Sequence, residues 1–360
     1  MSRCRPILSA EASSVGAAGP GIGRLAGAGR SYTSRVMNAL VQDHVGAPLR
    51  RADLPIPEPG PGQVLVRVRA IGLNPVDADL VAGGNPEWSW PHTPVLDAAG
   101  VVEAVGPGVS AWWPGDRVAA HGDLRRQGAA AEFALFDEEV LARIPEPLTF
   151  EQAAALPCAG MTAYQAVHRR LHVALGEGVL ITGATGGVGG YAVQLAREAG
   201  ARVVALASRD QDAVLQLGAH EVIDYRDPDA AERILQANGG RPLDAVVDVV
   251  GPASAAANVS LLTHTGGIAC VAGLPNPADF QTFGVSPSFH EISLGAAYSH
   301  GELRHRQDLS TMLGELMCLT ASGRLTVPIS RVIGLDDVDA ALAALRERHT
   351  RGKIVALIGE

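Results

Sequence analysis

The run Val179-Leu180-Ile181-Thr182 leads into Gly183-Ala184-Thr185-Gly186-Gly187-Val188-Gly189-Gly190 and then into Tyr191-Ala192-Val193-Gln194-Leu195-Ala196-Arg197, where apolar residues recur at helical spacing. Strand, glycine turn and helix stand in the order a dinucleotide site needs. Backbone must approach a pyrophosphate closely there, and the free N–H groups at the positive end of the helix supply the attraction. A side chain at Gly186 or Gly189 would obstruct either the phosphates or the helix–strand contact. Ala184 stands where the first glycine of the usual G-x-G-x-x-G would be, which alters the turn but keeps the phosphate-facing glycines.

The next strand ends Val204-Ala205-Leu206-Ala207-Ser208-Arg209. An acid about 20 residues after the loop would bind the ribose 2′-hydroxyl of NAD, whereas a small residue followed by Arg leaves room and charge for a 2′-phosphate. Ser208-Arg209 therefore points to NADPH. Asp210 and Asp212 follow closely, either as ribose ligands or as the solvated start of a helix.

Other chemistries are limited by residue supply. Cys4, Cys158, Cys270 and Cys318 form no CxxC, so neither a disulfide framework nor a structural zinc cluster is indicated. The closest histidine pairs, His168 with His172 and His300 with His305, have no nearby motif of acids or cysteines; Arg169 and Arg170 make the first pair a solvated helix face. Lys353 is the only lysine. A Tyr-x-x-x-Lys pair of the short-chain dehydrogenase kind is excluded, because His349 precedes that lysine by four residues. A P-loop is excluded because Ile354 follows Gly352-Lys353. A net charge of −9 without a Lys/Arg block argues against nucleic acid as the main partner. No run approaches the roughly 18 apolar residues of a membrane span.

The elements that must position these residues fall into two patterns. From Met37 to about residue 150, short β-like runs are broken by Pro and Gly: Val64–Val68, Gly100–Val105 and Asp116–Val118. From about residue 151 to 299, apolar strands alternate with helices: Val179–Thr182, a helix over Gly187–Ala199, Val203–Ala207, Val222-Ile223, Ala245–Val250 and Ile268–Ala272. Such alternation predicts a parallel, doubly wound sheet. A helix follows over Glu302–Ala321, and Val327–Glu360 reads as strand, helix and final strand. Residues 1–36 are rich in Gly, Ala, Ser and Arg with Glu11 as sole acid; they read as a disordered extension or an overlong start. The expected location is cytoplasmic, with mitochondria as the alternative if this segment is a transit peptide.

Several segments coincide in order: Gly72-Leu73-Asn74-Pro75-Val76-Asp77, Asp97-Ala98-Ala99-Gly100-Val101-Val102-Glu103-Ala104-Val105-Gly106, Gly115-Asp116-Arg117-Val118, Ala155-Leu156-Pro157-Cys158-Ala159-Gly160-Met161-Thr162-Ala163-Tyr164, and the closing Gly352-Lys353-Ile354-Val355. From Met37 onward the chain resembles the medium-chain dehydrogenase/reductases, specifically the zinc-independent quinone oxidoreductase and zeta-crystallin branch. That resemblance implies an α/β protein with a GroES-like β domain over 37–150 completed by about 328–360, a Rossmann domain over 151–327, and a cleft between them. It also implies a homodimer. Thr162 would meet the nicotinamide, with Gly251, Gly273, Leu274 and Tyr298 near it. Ala184, Thr185, Gly186, Gly187, Val188 and Gly189 would form the cofactor loop, and Ser208, Arg209 and Tyr225 would surround the adenosine phosphate.

Zinc alcohol dehydrogenases of this superfamily use a Cys, a His beside an acid, and a second Cys. Matching the motifs puts Asn74 at the first position and Leu96, followed by Asp97, at the second. Only Cys158 keeps ligand chemistry, and catalytic zinc normally takes three protein ligands. A zinc-free site favours acceptors that take hydride readily, namely quinones or double bonds conjugated to a carbonyl. Asn74 either donates to the acceptor oxygen or is a turn residue before Pro75, and Asp77 orders its own loop. Trp88 and Trp90 either form a flat wall for the acceptor or fill the domain edge. The alternatives to a quinone reductase are an alkenal or enone reductase on the same scaffold, and an NADPH-binding protein with a structural or RNA-binding role.

Overall fold

A computed structural model describes residues 35–281, 283–347 and 350–359. Strands Val36–Val41 (β1) and Arg50–Pro55 (β2) form an antiparallel pair ahead of an eleven-residue strand, Gln63–Leu73 (β3). Its inward side chains, among them Val64, Val66, Val68 and Ile71, are fully buried. Four further strands follow: Asp97–Val105 (β4), Arg117–His121 (β5), Phe133–Asp137 (β6) and Ala142–Arg143 (β7). β4 and β6 both pair antiparallel with β3, and β5 joins the far side of β4.

The second sheet contains Gly178–Ile181 (β8), Arg202–Leu206 (β9), Glu221–Ile223 (β10), Leu243–Asp248 (β11), Leu262–Cys270 (β12) and Ser288–Glu291 (β13). Its order is β10-β9-β8-β11-β12-β13 and every pairing is parallel. The order reverses between β8 and β11, so a crevice opens at their carboxyl ends, the place where such sheets bind ligands. β8, β9 and β11 are almost wholly buried, as strands covered on both faces must be.

The chain then returns. Ile329–Ile333 (β14) and Lys353–Leu357 (β15) join the first sheet, β15 lying antiparallel to β3 with Ile354 opposite Leu73. Helices Pro75–Gly83 (α1), Phe150–Ala154 (α2), Pro157–Tyr164 (α3) and Gly187–Glu198 (α4) bear on the site. A helix over Leu303–Ala321 packs Leu309, Met312, Leu313 and Leu316 into the main core. No helix of the described residues is long and apolar enough to cross a membrane.

Two expectations change. Residues 1–34 lie outside the described residues, but Arg35 and Val36, assigned to the extension, are structured: β1 starts at Val36, and the Arg35 carbonyl accepts from Ile56 N–H at 3.0 Å. The helical face proposed for His168 and His172 does not form. α3 runs on as a π-helical turn over Gln165–Arg170, and His172 lies beyond it at φ 51°.

Candidate active site

Antiparallel pairing sets Asp97 of β4 opposite both Gly72 of β3 and His121 of β5. Asp97 is completely buried, and a carboxylate in that position must be neutralised or saturated with hydrogen bonds. Its Oδ1 accepts from His121 Nδ1 at 2.7 Å. Its Oδ2 accepts from Asn74 Nδ2 at 2.9 Å and from the Cys158 backbone N–H at 3.0 Å. That N–H belongs to the first turn of α3, where a negative charge is favourable. Lys353 Nζ lies 3.8 Å from the same oxygen.

Lys353 reaches this point because β15 places it just before the residue paired with Leu73. Buried like Asp97, it donates to the Leu73 carbonyl at 2.9 Å and to Asn74 Oδ1. Asp77, on the first turn of α1, accepts from Asn74 N–H at 2.8 Å and from Leu96 N–H at 3.0 Å. Burial pushes its carboxyl up to about 7, and the Asp97 charge adds to that, with Lys353 and His121 pulling the other way. Asp77 thus orders the loops before α1 and β4.

Three sequence expectations are corrected here. Asn74 offers no free donor to an acceptor oxygen: its amide is turned to Asp97, to Asp77 Oδ2 at 3.2 Å and to the Gly72 carbonyl at 3.2 Å. Cys158 does not stand alone among metal-type side chains. One ligand atom each from Asp97, His121 and Cys158 lies within 4.8 Å of the others. His121, which belongs to neither of the two histidine pairs weighed from the sequence, bonds Asp97 directly. Trp88 and Trp90 form no exposed wall together: Trp88 is buried, stacks on His92 at 3.6 Å and donates to the Leu124 carbonyl at 2.7 Å.

Thr162, one turn along α3 from Cys158, is buried on the same face of the helix. Burial, then the Asp97 charge, push the Cys158 thiol well above its ordinary value, so it is not a thiolate. Tyr298 crosses from the second sheet's side to donate from its hydroxyl to the His121 carbonyl. Arg125 donates to the Tyr298 carbonyl at 3.2 Å.

The glycine loop runs from β8 into α4 at the switch point. α4 starts at Gly187, and its cap residue Gly186 offers no side chain, so no side-chain cap takes up the N–H groups of the first turn and a ligand can do so. A β-carbon on Gly186 would meet only the Gly183 carbonyl, at 3.3 Å, whereas one on Gly189 would fall 2.3 Å from that oxygen and 2.8 Å from Ala184 Cα. Gly189 is therefore demanded by the loop's own packing. The open backbone cradle at Gly186 fits a pyrophosphate. Ala184 is buried, and Thr185 accepts from Gly352 N–H at 3.0 Å, tying the loop to the segment that carries Lys353. Gly251 at φ 147° and Gly273 at φ 111° end the turns after β11 and β12, and Leu274 is exposed.

At the end of β9, Arg209 is exposed and has no ion-pair partner among the described residues, with Ser208 before it. Tyr225 is exposed after β10. Asp210 is held by Arg351 at 2.6 Å and Arg226 donates to the Ser208 carbonyl at 3.3 Å, two arginines that the sequence did not single out.

Residues 60–146 match the alcohol dehydrogenase GroES-like domain family, and residues 217–356 match the zinc-binding dehydrogenase family. The quinone oxidoreductase of Sus scrofa is 38% identical over 243 residues, 66% of this chain and 73% of that protein. The phthioceranic/hydroxyphthioceranic acid synthase of Mycobacterium tuberculosis is 34% identical over 306 residues, 82% of this chain and 14% of that protein. Among solved structures, the quinone oxidoreductase from Coxiella burnetii superposes with a TM-score of 0.76 at 28% identity, covering 90% of this chain and 100% of its own.

Proposed function

Because this chain belongs to the quinone oxidoreductase branch of the medium-chain dehydrogenase/reductases, and so is an oxidoreductase with a nicotinamide cofactor, we propose that it passes hydride from NADPH to a quinone without a metal ion. The observation that carries the metal-free part is the state of Asp97. Both its oxygens are taken by protein donors, and Lys353 puts a fixed positive charge 3.8 Å away. A divalent ion would have to displace these bonds beside that charge, and Asn74 and Leu96 add no anionic ligand.

The reduced nicotinamide supplies the hydride. Gly186 and the start of α4 would hold the pyrophosphate, and Thr162 would line the nicotinamide end. The protein's share of the work is to orient the acceptor against the cofactor in a cleft that excludes water. The edge strands of the second sheet, β10 and β13, each paired on one side only among the described residues, offer backbone through which two copies would form a homodimer.

The 2′-phosphate preference is supported by the exposed Arg209, which follows Ser208 and has no ion-pair partner among the described residues, and by Asp210 being occupied with Arg351. NADPH is expected to bind at least about tenfold more tightly than NADH, about 1.4 kcal/mol, a modest demand on one charged contact. Arg209→Ala should weaken NADPH and leave NADH almost unchanged in a fluorescence titration. Equal affinities in the unaltered protein would contradict the NADPH assignment. Turnover with a panel of quinones against a panel of enones decides the acceptor, and tight NADPH binding without turnover on either would favour a non-enzymatic role.

A further inference from the structure

We propose that His121 is the proton donor of the reduction, oriented by Asp97, a role that rests on the hydride-transfer reading above. Hydride delivery gives the acceptor two electrons and one hydrogen nucleus, and leaves the electron pair on its oxygen as a phenolate or enolate. A proton must follow. In the proposed step the N–H bond at Nε2 of the doubly protonated His121 ring breaks and an O–H bond forms on the acceptor, or a C–H bond at the α-carbon of an enone. The nicotinamide is left oxidised and the imidazole neutral, and water then restores the proton.

The other polar groups of the cluster are spent. Asn74 is turned to Asp97 and Asp77, Lys353 to the Leu73 carbonyl and Asn74, and the Tyr298 hydroxyl to the His121 carbonyl. The Cys158 thiol is held by burial in its protonated form. His121 differs: a carboxylate oxygen only accepts, so Nδ1 must carry the proton given to Asp97, and Nε2 has no partner among the described residues. A carboxylate fixing the far nitrogen of an imidazole is the arrangement of an oriented acid–base histidine. Asp97 is itself immobilised by Asn74, the Cys158 N–H and Lys353.

Position supports the same role. A His121 ring nitrogen lies within 4.8 Å of the Cys158 sulfur, and Cys158 stands one turn before Thr162 on α3, the residue at the nicotinamide end of the proposed cleft. The ring bonds Asp97 on β4, lies near Cys158 on α3 and interacts electrostatically with Asp77 on α1; Lys353 on β15 sits against Asp97, Tyr298 bonds the His121 carbonyl, and Asp123 with its partners Arg125 and Arg126 follows in the chain.

The test uses the full chain with NADPH, 1,4-benzoquinone and 2-cyclohexenone. His121→Asn keeps an N–H for Asp97 but offers no acid, and should lower kcat by about 100-fold or more, the usual contribution of a general acid. Its NADPH dissociation constant should stay at the wild-type value. In His121→Ala, added imidazole should restore turnover in proportion to its protonated form, which a merely structural histidine would not allow. Wild-type kcat in His121→Asn, or turnover of His121→Ala that imidazole leaves unchanged, would overturn the role of His121 while hydride transfer stands. A wild-type protein that oxidises NADPH with neither acceptor overturns both.

Discussion

Lys353→Met is expected to destabilise the protein by about 3–5 kcal/mol, because it removes one partner of a buried ionic network while filling nearly the same volume. Asp97 and Asp77 then remain in the core without the ammonium between them and the Leu73 carbonyl. The loss should depend on pH in a defined direction. Asp77 titrates near 7 when folded against 3.8 for an ordinary aspartate, so between those values the folded state holds a proton that the unfolded chain gives up. Stability therefore falls as pH rises through this window. Lys353 pulls the folded value down, so its removal raises that value and extends the fall to higher pH. Urea unfolding should show a larger deficit at pH 8 than at pH 5. An equal deficit at both, or one below about 1 kcal/mol, would mean that the lysine does not hold the acids in place.

Gly186→Ala and Gly189→Ala are expected to have opposite signatures. The added methyl at Gly189 collides with the Gly183 carbonyl and Ala184 backbone, so the loop itself must move, at a cost of about 1–3 kcal/mol in the cofactor-free protein. At Gly186 the methyl meets one oxygen at 3.3 Å and the backbone is already extended at φ −80°, so folding should be little affected. The methyl nevertheless enters the cradle where the pyrophosphate would lie, and should raise the NADPH dissociation constant tenfold or more, about 1.4 kcal/mol. Thermal melting without cofactor and a fluorescence titration with NADPH separate the two. If Gly186→Ala melts much lower while keeping its affinity, the loop is a structural turn and the cofactor site lies elsewhere.

The dinucleotide loop was legible because its signal is local: a buried strand, a glycine turn and an amphipathic helix stand within twenty-odd residues, and the surrounding αβ alternation leaves few other folds. The acid–base cluster is different in kind. Asp97 and His121 are 24 residues apart, Cys158 and Asp97 are 61, and Lys353 and Asn74 are 279. The register of β4 on β5, the return of β15 to β3 and the first turn of α3 against Asp97 bring them together. A faint sign was present, since Asp97 and His121 each adjoin a buried, small-residue stretch, Ala98-Ala99-Gly100 in β4 and Val118-Ala119-Ala120 in β5. Motif matching passed over it, because it asks which residue stands at a known ligand position and finds Leu96 there. It likewise weighed Asp210 as a ribose ligand when the C-terminal Arg351 claims it.

The central claim, hydride transfer from NADPH to a quinone without a metal, is tested most directly by one measurement. Protein exhaustively treated with a chelator is analysed for zinc and then assayed for NADPH oxidation with 1,4-benzoquinone. Full turnover by protein that holds far less than one zinc per chain is the predicted result. One tightly held zinc per chain, with turnover lost on its removal and regained on its return, would contradict the account and would turn Asp97, His121 and Cys158 into metal ligands.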